Sequence, residues 1–357
     1  MLRKFYPSPQ SSALSTQPLR LARQSKKQEE AWTFVPAFLL IVKYFLYFGP
    51  FILNLLKSLN AYDKILVSYK ITKEFLLNKK SFYGLLLGLV LLCIAIYGKS
   101  QQKTQLDHTN YQQITRPTLF FHGYGSSANA EKHMTDAAKK AGVTQTIITA
   151  NVAEDGQVRL TGTIPKGAVN PIIKVEYQNN RTPDPKVISH YAYQVVKKLQ
   201  DTYHFKEMNV VAHSMGNMSV LYYLLEHGSD ENLPKIVKQV AIANHVAGLE
   251  GMNLPQGLVL DAQTGKPSAM NEQYQQLLAL REVYPENQID VLNIYGDIGG
   301  ETDGSVLNVS SKALRYLVAE RAKSYREEKI DGKGAQHSQL HENPIVDKLL
   351  IQFLWGK

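Results

Sequence analysis

Short apolar runs alternate along residues 117–357 with segments whose apolar residues recur every three to four positions. The short runs are typical of buried strands, and the second pattern is typical of helices that cover a sheet. Their alternation predicts an α/β fold, with a mostly parallel sheet and helices on both faces. The predicted strands are Thr118–Phe121, Val143–Thr149, Ile172–Tyr177, Met208–Ala212, Val237–Ala243 and Ile289–Ile294. The predicted helices are Ala130–Ala141, Pro185–Tyr203, Met218–His227, Ser310–Leu317 and Ile345–Trp355.

Two segments interrupt this alternation. Residues 151–169 contain Asp155-Gly156, a turn pair, and predict a β-hairpin with an exposed end at Lys166-Gly167. Residues 249–287 mix Leu, Met, Tyr and Pro. That composition suits a lid over an apolar pocket and equally suits a surface excursion of helix and loop.

An uncharged apolar run precedes the alternating pattern. Phe82 to Tyr97 has Lys79 and Lys80 before it and Lys99 after it. It is close to the length of about 17 residues that a membrane-spanning helix needs. No small-x-small cleavage site follows, which favours an uncleaved signal anchor over 78–98. The polar segment 99–116 is then a linker, and we expect the rest of the chain outside the cytoplasm, anchored in the cell membrane by a single pass through residues 82–97.

A second apolar stretch, residues 34–56, lies within a basic leader, residues 1–77. It contains a lysine and two prolines, and six basic residues lie on each side of it, in 1–30 and 57–80. Both flanks therefore favour the cytoplasm, so a re-entrant or interfacial hairpin fits better than a simple span. Alternatively, residues 1–77 do not belong to the working protein, because the sequence from Lys79 starts like an ordinary export signal.

The net charge of +9 comes from the leader. Residues 1–100 carry 14 Lys and Arg against 4 Asp and Glu, and residues 101–357 carry 26 against 27. The main domain is therefore nearly neutral and gives no reason to expect a nucleic acid as partner. The one cysteine, Cys93, lies inside the apolar run, so no disulfide forms within one chain.

Ser214 lies where an apolar strand run turns into an apolar helix, in the sequence NVVAHSMGNMSVLYY from Asn209. A serine hydroxyl on such a tight turn is exposed to a base and lies beside free backbone amides. The usual motif has glycine two positions before and two after the serine, and here the two positions are Ala212 and Gly216. Ser214 is the candidate nucleophile. A buried serine at an ordinary strand–helix junction is the alternative.

A catalytic acid and a base are expected on loops that follow later strands. Asp303 and Asp297 both follow the strand run 289–294, and Asp303 is preferred from its place in the loop, although either fits a turn-capping aspartate. His337 and His341 both precede the closing helix. His337 is preferred because glycine and alanine lie beside it, and His341 then reads as a polar contact. The chain order is serine, acid, histidine.

These motifs together resemble a known family. HGYGSS from His122, NPIIKV from Asn170, AHSMGN from Ala212, TDGSV from Thr302 and HSQLHENP from His337 are similar to the α/β-hydrolases, and more narrowly to membrane-bound cell-surface hydrolases of unknown function from Gram-positive bacteria. The resemblance covers residues 117–355. Ala212 departs from the general motif.

The resemblance implies a triad of Ser214, Asp303 and His337, with the backbone amides of Tyr124 and Met215 as oxyanion donors. Such a triad predicts two-step acyl transfer to water with no cofactor. The family itself gives no substrate, and we expect a small-molecule or lipid-like acyl substrate with a carboxylic ester as the preferred bond. An amidase, peptidase or thioesterase with the same triad stays open, as does a non-catalytic binding protein on the same fold. No H-E-x-x-H spacing is present, so we expect no metal.

Overall fold

An eight-stranded sheet runs through residues 105–357, the part of the chain that the computed structural model describes. The strands are β1 Thr118–Phe121, β2 Ile147–Val152, β3 Val158–Thr161, β4 Ile172–Tyr177, β5 Glu207–His213, β6 Lys235–Ile242, β7 Asp290–Asp297 and β8 Ser324–Asp331. Their order across the sheet is β3-β2-β4-β1-β5-β6-β7-β8. All neighbours are parallel except β3, which is antiparallel to β2. The predicted mostly parallel sheet is therefore confirmed.

Helices cover both faces of the sheet. They are α1 Lys132–Lys140, α2 Pro185–Tyr203, α3 Met215–His227, α4 Glu272–Leu277, α5 Leu280–Val283, α6 Asn308–Lys312, α7 Leu314–Val318 and α8 Pro344–Trp355, with 3-10 turns at Lys333–Ala335 and His337–Glu342. Buried side chains of α1 and α8 form one core layer, and those of α2, α3, α4, α5 and α7 form the other. Both faces of the central strands are thus buried, which explains their continuous apolar runs.

Local sequence signals set the ends of the two longest peripheral helices. Asp184 caps α2 by accepting from the Lys186 N–H, with Pro185 in the first turn. The α2 helix ends at His204 in a left-handed conformation. Asn343 caps α8 in the same way through the Ile345 N–H, again with a proline first. These signals explain why α2 begins and ends at the predicted residues.

Strand β8 is missing from the predicted elements. Its sequence SYREEKID is rich in charged residues, and most of its side chains are at least partly exposed. It lies at the edge of the sheet, where charged side chains are favoured because they oppose pairing with another chain. Ion pairs between neighbouring side chains, such as Arg326 with Glu328, accommodate that charge. Apolar periodicity therefore could not identify this strand.

Strand β2 begins four residues later than the predicted strand 143–149. Val143 is buried in the turn that closes α1, and the Thr144 hydroxyl donates to the Val169 carbonyl, so both residues lie outside the ladder. The predicted hairpin exists, with its turn at Asp155-Gly156, but its first arm is β2 itself. It is therefore part of the sheet and not an insertion within 151–169.

The segment 249–287 divides into two parts. Its second part forms α4 and α5, and Tyr274, Leu277 and Leu280 are fully buried in the core layer beneath them. Most of residues 249–271 are exposed or half-buried. Even so, Leu258 is buried in the same core layer, and Leu254, Leu260 and Met270 pack against it. The lid stays a prediction.

Residues 105–116, predicted as linker, pack against the main domain. The Asp107 N–H donates to the Gly142 carbonyl. The Gln112 N–H donates to the Trp355 carbonyl at the end of α8, and the Gln112 side-chain amide donates to the Gly356 carbonyl. Tyr111 also forms a β-bridge with Gly356. Residues 105–112 and the last residues of the chain therefore lie together, at the end of the sheet where the parallel strands start.

The leader 1–77, the apolar stretch 34–56, the signal anchor 78–98 and the membrane segment 82–97 all lie outside the described residues. Within residues 105–357, no helix has both the length and the hydropathy that a bilayer crossing demands.

Candidate active site

Ser214 occupies a strained turn between β5 and α3. Its backbone has φ 52° and ψ −122°, a conformation that non-glycine residues rarely adopt. Its N–H donates to the Ile242 carbonyl, and the Asn217 side-chain amide donates to the carbonyls of both Ser214 and Ile242. The turn is therefore held from the neighbouring strand β6, and it presents the hydroxyl at the carboxyl end of the sheet.

The two small residues of the motif have different structural reasons. A Cβ at Gly216 would lie 2.3 Å from the Phe121 carbonyl oxygen, so only glycine lets α3 approach the end of β1. Ala212 is buried in regular strand pairing, opposite Phe121 on one side and Ala241 on the other. The alanine that departs from the usual motif therefore meets no steric demand for glycine.

His337 connects Ser214 to Asp303. The His337 Nε2 atom is 3.0 Å from the Ser214 Oγ, and its Nδ1 atom is 2.8 Å from the Asp303 Oδ2. The His337 N–H also donates to the Asp303 carbonyl at 2.9 Å. A Cβ at Gly296 would overlap the Ala335 carbonyl oxygen, so Gly296 of β7 allows the loop that carries His337 to lie against the sheet.

Asp303 is buried and tightly held. Its Oδ1 atom accepts from the N–H groups of Ser305 and Val306, at 2.9 and 2.7 Å, which directs Oδ2 at His337. In the ionised state of Asp303, the Nδ1–H of His337 donates to Oδ2 and Nε2 is free to accept the serine proton. The three side chains thus have the geometry of a nucleophile, a base and its orienting acid.

The alternatives Asp297 and His341 contact neither His337 nor Ser214 directly through their side chains. Asp297 accepts from the Gly299 N–H, and this bond, with Lys329 nearby, lowers its pKa. His341 lies 3.4 Å from Glu342, and burial lowers its pKa. Asp297 therefore caps a turn, and His341 packs beside the site.

His213 was not singled out in the sequence, although it is adjacent to Ser214. It is buried, its Nε2–H donates to the His337 carbonyl at 3.0 Å, and its ring lies 4.8 Å from that of His337 and 4.9 Å from that of His341. Burial, followed by the neighbouring histidines, lowers the pKa of His213 well below its usual value. Burial likewise lowers the pKa of His245 to about 4. The neutral imidazole of His213 therefore packs against His337 without adding charge.

His122 fixes the glycine loop that lies beside Ser214. Its Nε2 accepts from the Tyr177 N–H at 3.1 Å, so its Nδ1 carries the proton and donates to the Gly123 carbonyl at 2.9 Å. Burial lowers the pKa of His122, which favours this neutral form. Because a trans peptide directs its N–H opposite to its C=O, the Tyr124 N–H points away from the His122 ring.

The loop containing Gly123 and the first turn of α3 both approach the serine. A Cβ at Gly123 would lie 3.1 Å from the Ser214 Cβ, and Met215 directly follows the serine. Neither the Tyr124 N–H nor the Met215 N–H donates to a backbone carbonyl of residues 105–357. These two amides are thus available to an oxygen atom bound beside Ser214.

No further ligand set was found in the part of the chain described. Residues 105–357 hold no cluster of three His, Cys, Asp or Glu side chains suited to a metal ion. A cavity of about 400 Å³ lies beside the end of α3 and the start of β6, at the ends of the strands remote from Ser214. None of the candidate site residues lines it.

Comparison with known proteins confirms the predicted α/β-hydrolase fold. The model of a family described as "Alpha/beta hydrolase of unknown function (DUF915)" matches residues 105–357. The crystal structure of the lin2722 gene product of Listeria innocua is 28% identical, with a TM-score of 0.62 over 68% of this chain and 94% of that one. A Lactobacillus plantarum protein, described only provisionally as a cell surface hydrolase, is 20% identical, with a TM-score of 0.54 over 67% and 89%. No curated protein matches the chain.

Proposed function

The chain belongs to the DUF915 family of α/β-hydrolases, and from that premise we propose that it is a serine hydrolase that cleaves carboxylic esters. The observation that carries this proposal is the continuous contact from Ser214 through His337 to Asp303, at 3.0 and 2.8 Å. The strained backbone of Ser214 supports the same proposal, because backbone strain is concentrated at functional sites.

The first step of the proposed reaction forms an acyl-enzyme. The Ser214 Oγ attacks the ester carbonyl carbon while its proton passes to the His337 Nε2. The carbonyl oxygen becomes negatively charged and accepts from the N–H groups of Tyr124 and Met215. The tetrahedral intermediate then expels the alcohol, which takes the proton from His337, and Asp303 stabilises the imidazolium in between.

The second step releases the acid. Water gives a proton to the His337 Nε2 and attacks the acyl carbon. As the second tetrahedral intermediate collapses, His337 returns that proton to the departing Ser214 Oγ and the acid is released. Every protein group in both steps belongs to residues 105–357. The two N–H donors need no rearrangement, because the bond from His122 holds the Gly123 carbonyl away from Ser214. An amide or thioester is cleaved by the same steps with another leaving group.

We further propose that the reaction takes place at the outer face of the cell membrane. The apolar run 82–97 and the lysines before it support this location, since that pattern is typical of a signal anchor with the following domain outside. Protease added to intact cells should degrade residues 105–357 if this domain lies outside. A domain that is degraded only after the cells are lysed would reject this location.

The test is hydrolysis of p-nitrophenyl esters, from acetate to long acyl chains, by the full-length protein and its Ser214→Ala variant. We expect the variant to lose activity by about 10⁴-fold or more, because the remaining oxyanion donors and binding contacts cannot replace the nucleophile. A fluorophosphonate probe that labels the native protein but not Ser214→Ala would support a reactive serine. Activity that survives in Ser214→Ala would reject the proposal, and absence of both activity and labelling would favour a non-catalytic binding protein.

A further inference from the structure

An exposed guanidinium lies beside the proposed oxyanion loop, and we propose that Arg181 binds a carboxylate or phosphate group of the substrate. This inference rests on the proposed serine hydrolase function and names the class of ester on which it acts. The acid group would be carried either by the acyl part or by the alcohol part of that ester.

The position of Arg181 follows from two bonds between loops. The loop after β4 contains Asn180, whose carbonyl accepts from the Gly125 N–H and whose side-chain amide donates to the Ser126 carbonyl, both at 2.7 Å. Gly125 is two residues from Gly123, so the Cα atoms of the two glycines are at most about 8 Å apart. Gly123 itself lies in contact with Ser214. The backbone before Arg181 is therefore held to the loop that approaches Ser214.

The guanidinium is held in place by a ring and a backbone surface. Its Cζ lies 5.7 Å from the centroid of the Tyr124 ring. A Cβ at Gly125 would lie 3.1 to 3.3 Å from the Cζ and both terminal nitrogens, so the guanidinium covers the glycine, whose φ of +64° also favours that residue. Stacking of this kind restricts an arginine and leaves its N–H groups available.

The charge of Arg181 is not compensated by a carboxylate. Within residues 105–357, no Asp or Glu oxygen lies within ion-pair distance of its guanidinium. Asp303, the acid of the site, is buried and occupied by His337 and two backbone amides. His213 and His245 are kept neutral by burial. Arg181 therefore supplies a positive charge beside the loop that approaches Ser214.

A guanidinium of this kind selects oxygen anions. Its planar N–H groups match a carboxylate or phosphate through two parallel hydrogen bonds, which a neutral ester cannot accept as strongly. Carboxylate and phosphate share this chemistry, so the choice between them is left to separate arms of the experiment.

The experiment compares matched anionic and neutral esters on the full-length protein. The acyl pair is p-nitrophenyl hydrogen adipate and p-nitrophenyl hexanoate, with p-nitrophenyl 5-phosphonopentanoate as the phosphorus arm. The alcohol pair is the hexanoate of 5-hydroxy-2-nitrobenzoic acid and that of 4-nitrophenol. We expect kcat/KM at low salt to be about three- to tenfold higher for at least one anionic member, a range typical of an exposed but oriented ion pair.

The variants assign that preference to one side chain. Arg181→Gln should abolish it while leaving the neutral rate within about twofold, Arg181→Lys should retain part of it, and added salt should weaken it. Arg159→Gln is the matched control, because Arg159 is an exposed arginine on edge strand β3. An anionic-to-neutral ratio that is the same in native protein and Arg181→Gln across all pairs overturns the inference but not the serine hydrolase.

Binding without turnover separates the two failures. Ser214→Ala protein can be titrated with monoethyl adipate and ethyl hexanoate by saturation-transfer NMR, with and without Arg181→Gln. Tighter binding of the anionic ester that is lost in Arg181→Gln supports the inference even if no aryl ester is hydrolysed. Equal binding of the two esters, or an anionic preference that survives Arg181→Gln, rejects it.

Discussion

At the scale of single residues, the strand-to-helix turn that carries Ser214 could be predicted from the sequence because its motif is local. The tight turn, the small neighbours and the following helix all lie within 209–223. The choice between the two aspartates depended on the fold, since both follow the same strand. Asp297 turned out to be the last residue of β7, whereas Asp303 lies against His337. Nothing in the sequence next to His213 indicated that residues 337 and 341 would pack against it.

The two aspartates allow a matched prediction. Asp303→Asn is expected to lower kcat by about 10³ to 10⁴-fold on any ester that the native protein cleaves, because an asparagine amide does not hold the imidazole in the tautomer that accepts the serine proton. Asp297→Asn should leave kcat within about twofold, since its side chain caps a turn. Steady-state kinetics with circular dichroism melting would separate lost catalysis from lost folding. Equal losses in both variants would contradict the assignment.

At the scale of helices and strands, the elements with strong apolar patterns were predicted well and the charged edge strand β8 was not. The apolar pattern also gave no sign of the buried, unpartnered carboxyl group at the start of α1. The helix α1 begins after Glu131, whose side chain makes no capping bond and is buried with both carboxyl oxygens unpartnered within the described residues. Burial raises the pKa of Glu131 to about 8. Ionising it in the folded protein is therefore unfavourable.

Glu131→Gln is expected to stabilise the protein at high pH. The unfolded carboxyl ionises near its ordinary pKa of 4.5, so the native protein loses stability as the pH rises from about 4.5 to 8. The full shift corresponds to on the order of 4 to 5 kcal/mol. The neutral glutamine removes this cost, and the melting temperature should rise by roughly 8–20 °C at pH 9 and by about 2–3 °C at pH 5.

The matched control is Glu154→Gln, because Glu154 is exposed near the hairpin turn. Melting curves of both variants and the native protein at pH 5, 7 and 9 would test the prediction. A stabilisation by Glu131→Gln that is the same at every pH would show that ionisation is not its cause.

At the scale of the whole molecule, the sequence predicted the class of fold but not where the domain begins. Residues 105–116 have little apolar pattern and were taken as a linker. Their role depends on partners far along the chain, since the Asn170 N–H and side-chain amide donate to the carbonyls of Ile114 and Gln112. Hydrogen bonds between residues about 60 positions apart leave no local sequence signal.

This packing predicts different stabilities for two truncated proteins. The segment 102–357 should fold alone, because it contains both core layers and the N-terminal contacts. The segment 117–357 should melt at least about 5 °C lower, since it leaves the buried Asn170 N–H and one N–H of its side-chain amide without acceptors, at a cost of about 1–3 kcal/mol each. The other N–H of that amide still donates to the Val143 carbonyl. Calorimetry of both segments would decide, and a third segment, 105–357, should match the longer one. Equal melting of all three would show that residues 105–116 add nothing.

The two ends of the described chain have a practical consequence for display of the protein. Gln105 and Lys357 both lie at the edge where the parallel strands start, whereas Ser214 and Arg181 lie at the edge where strands end. A sensor chip, bead or fusion scaffold joined to either end of the segment 105–357 would therefore leave Ser214 facing free solution. Immobilised protein should accept bulky polymeric esters as readily as dissolved protein does.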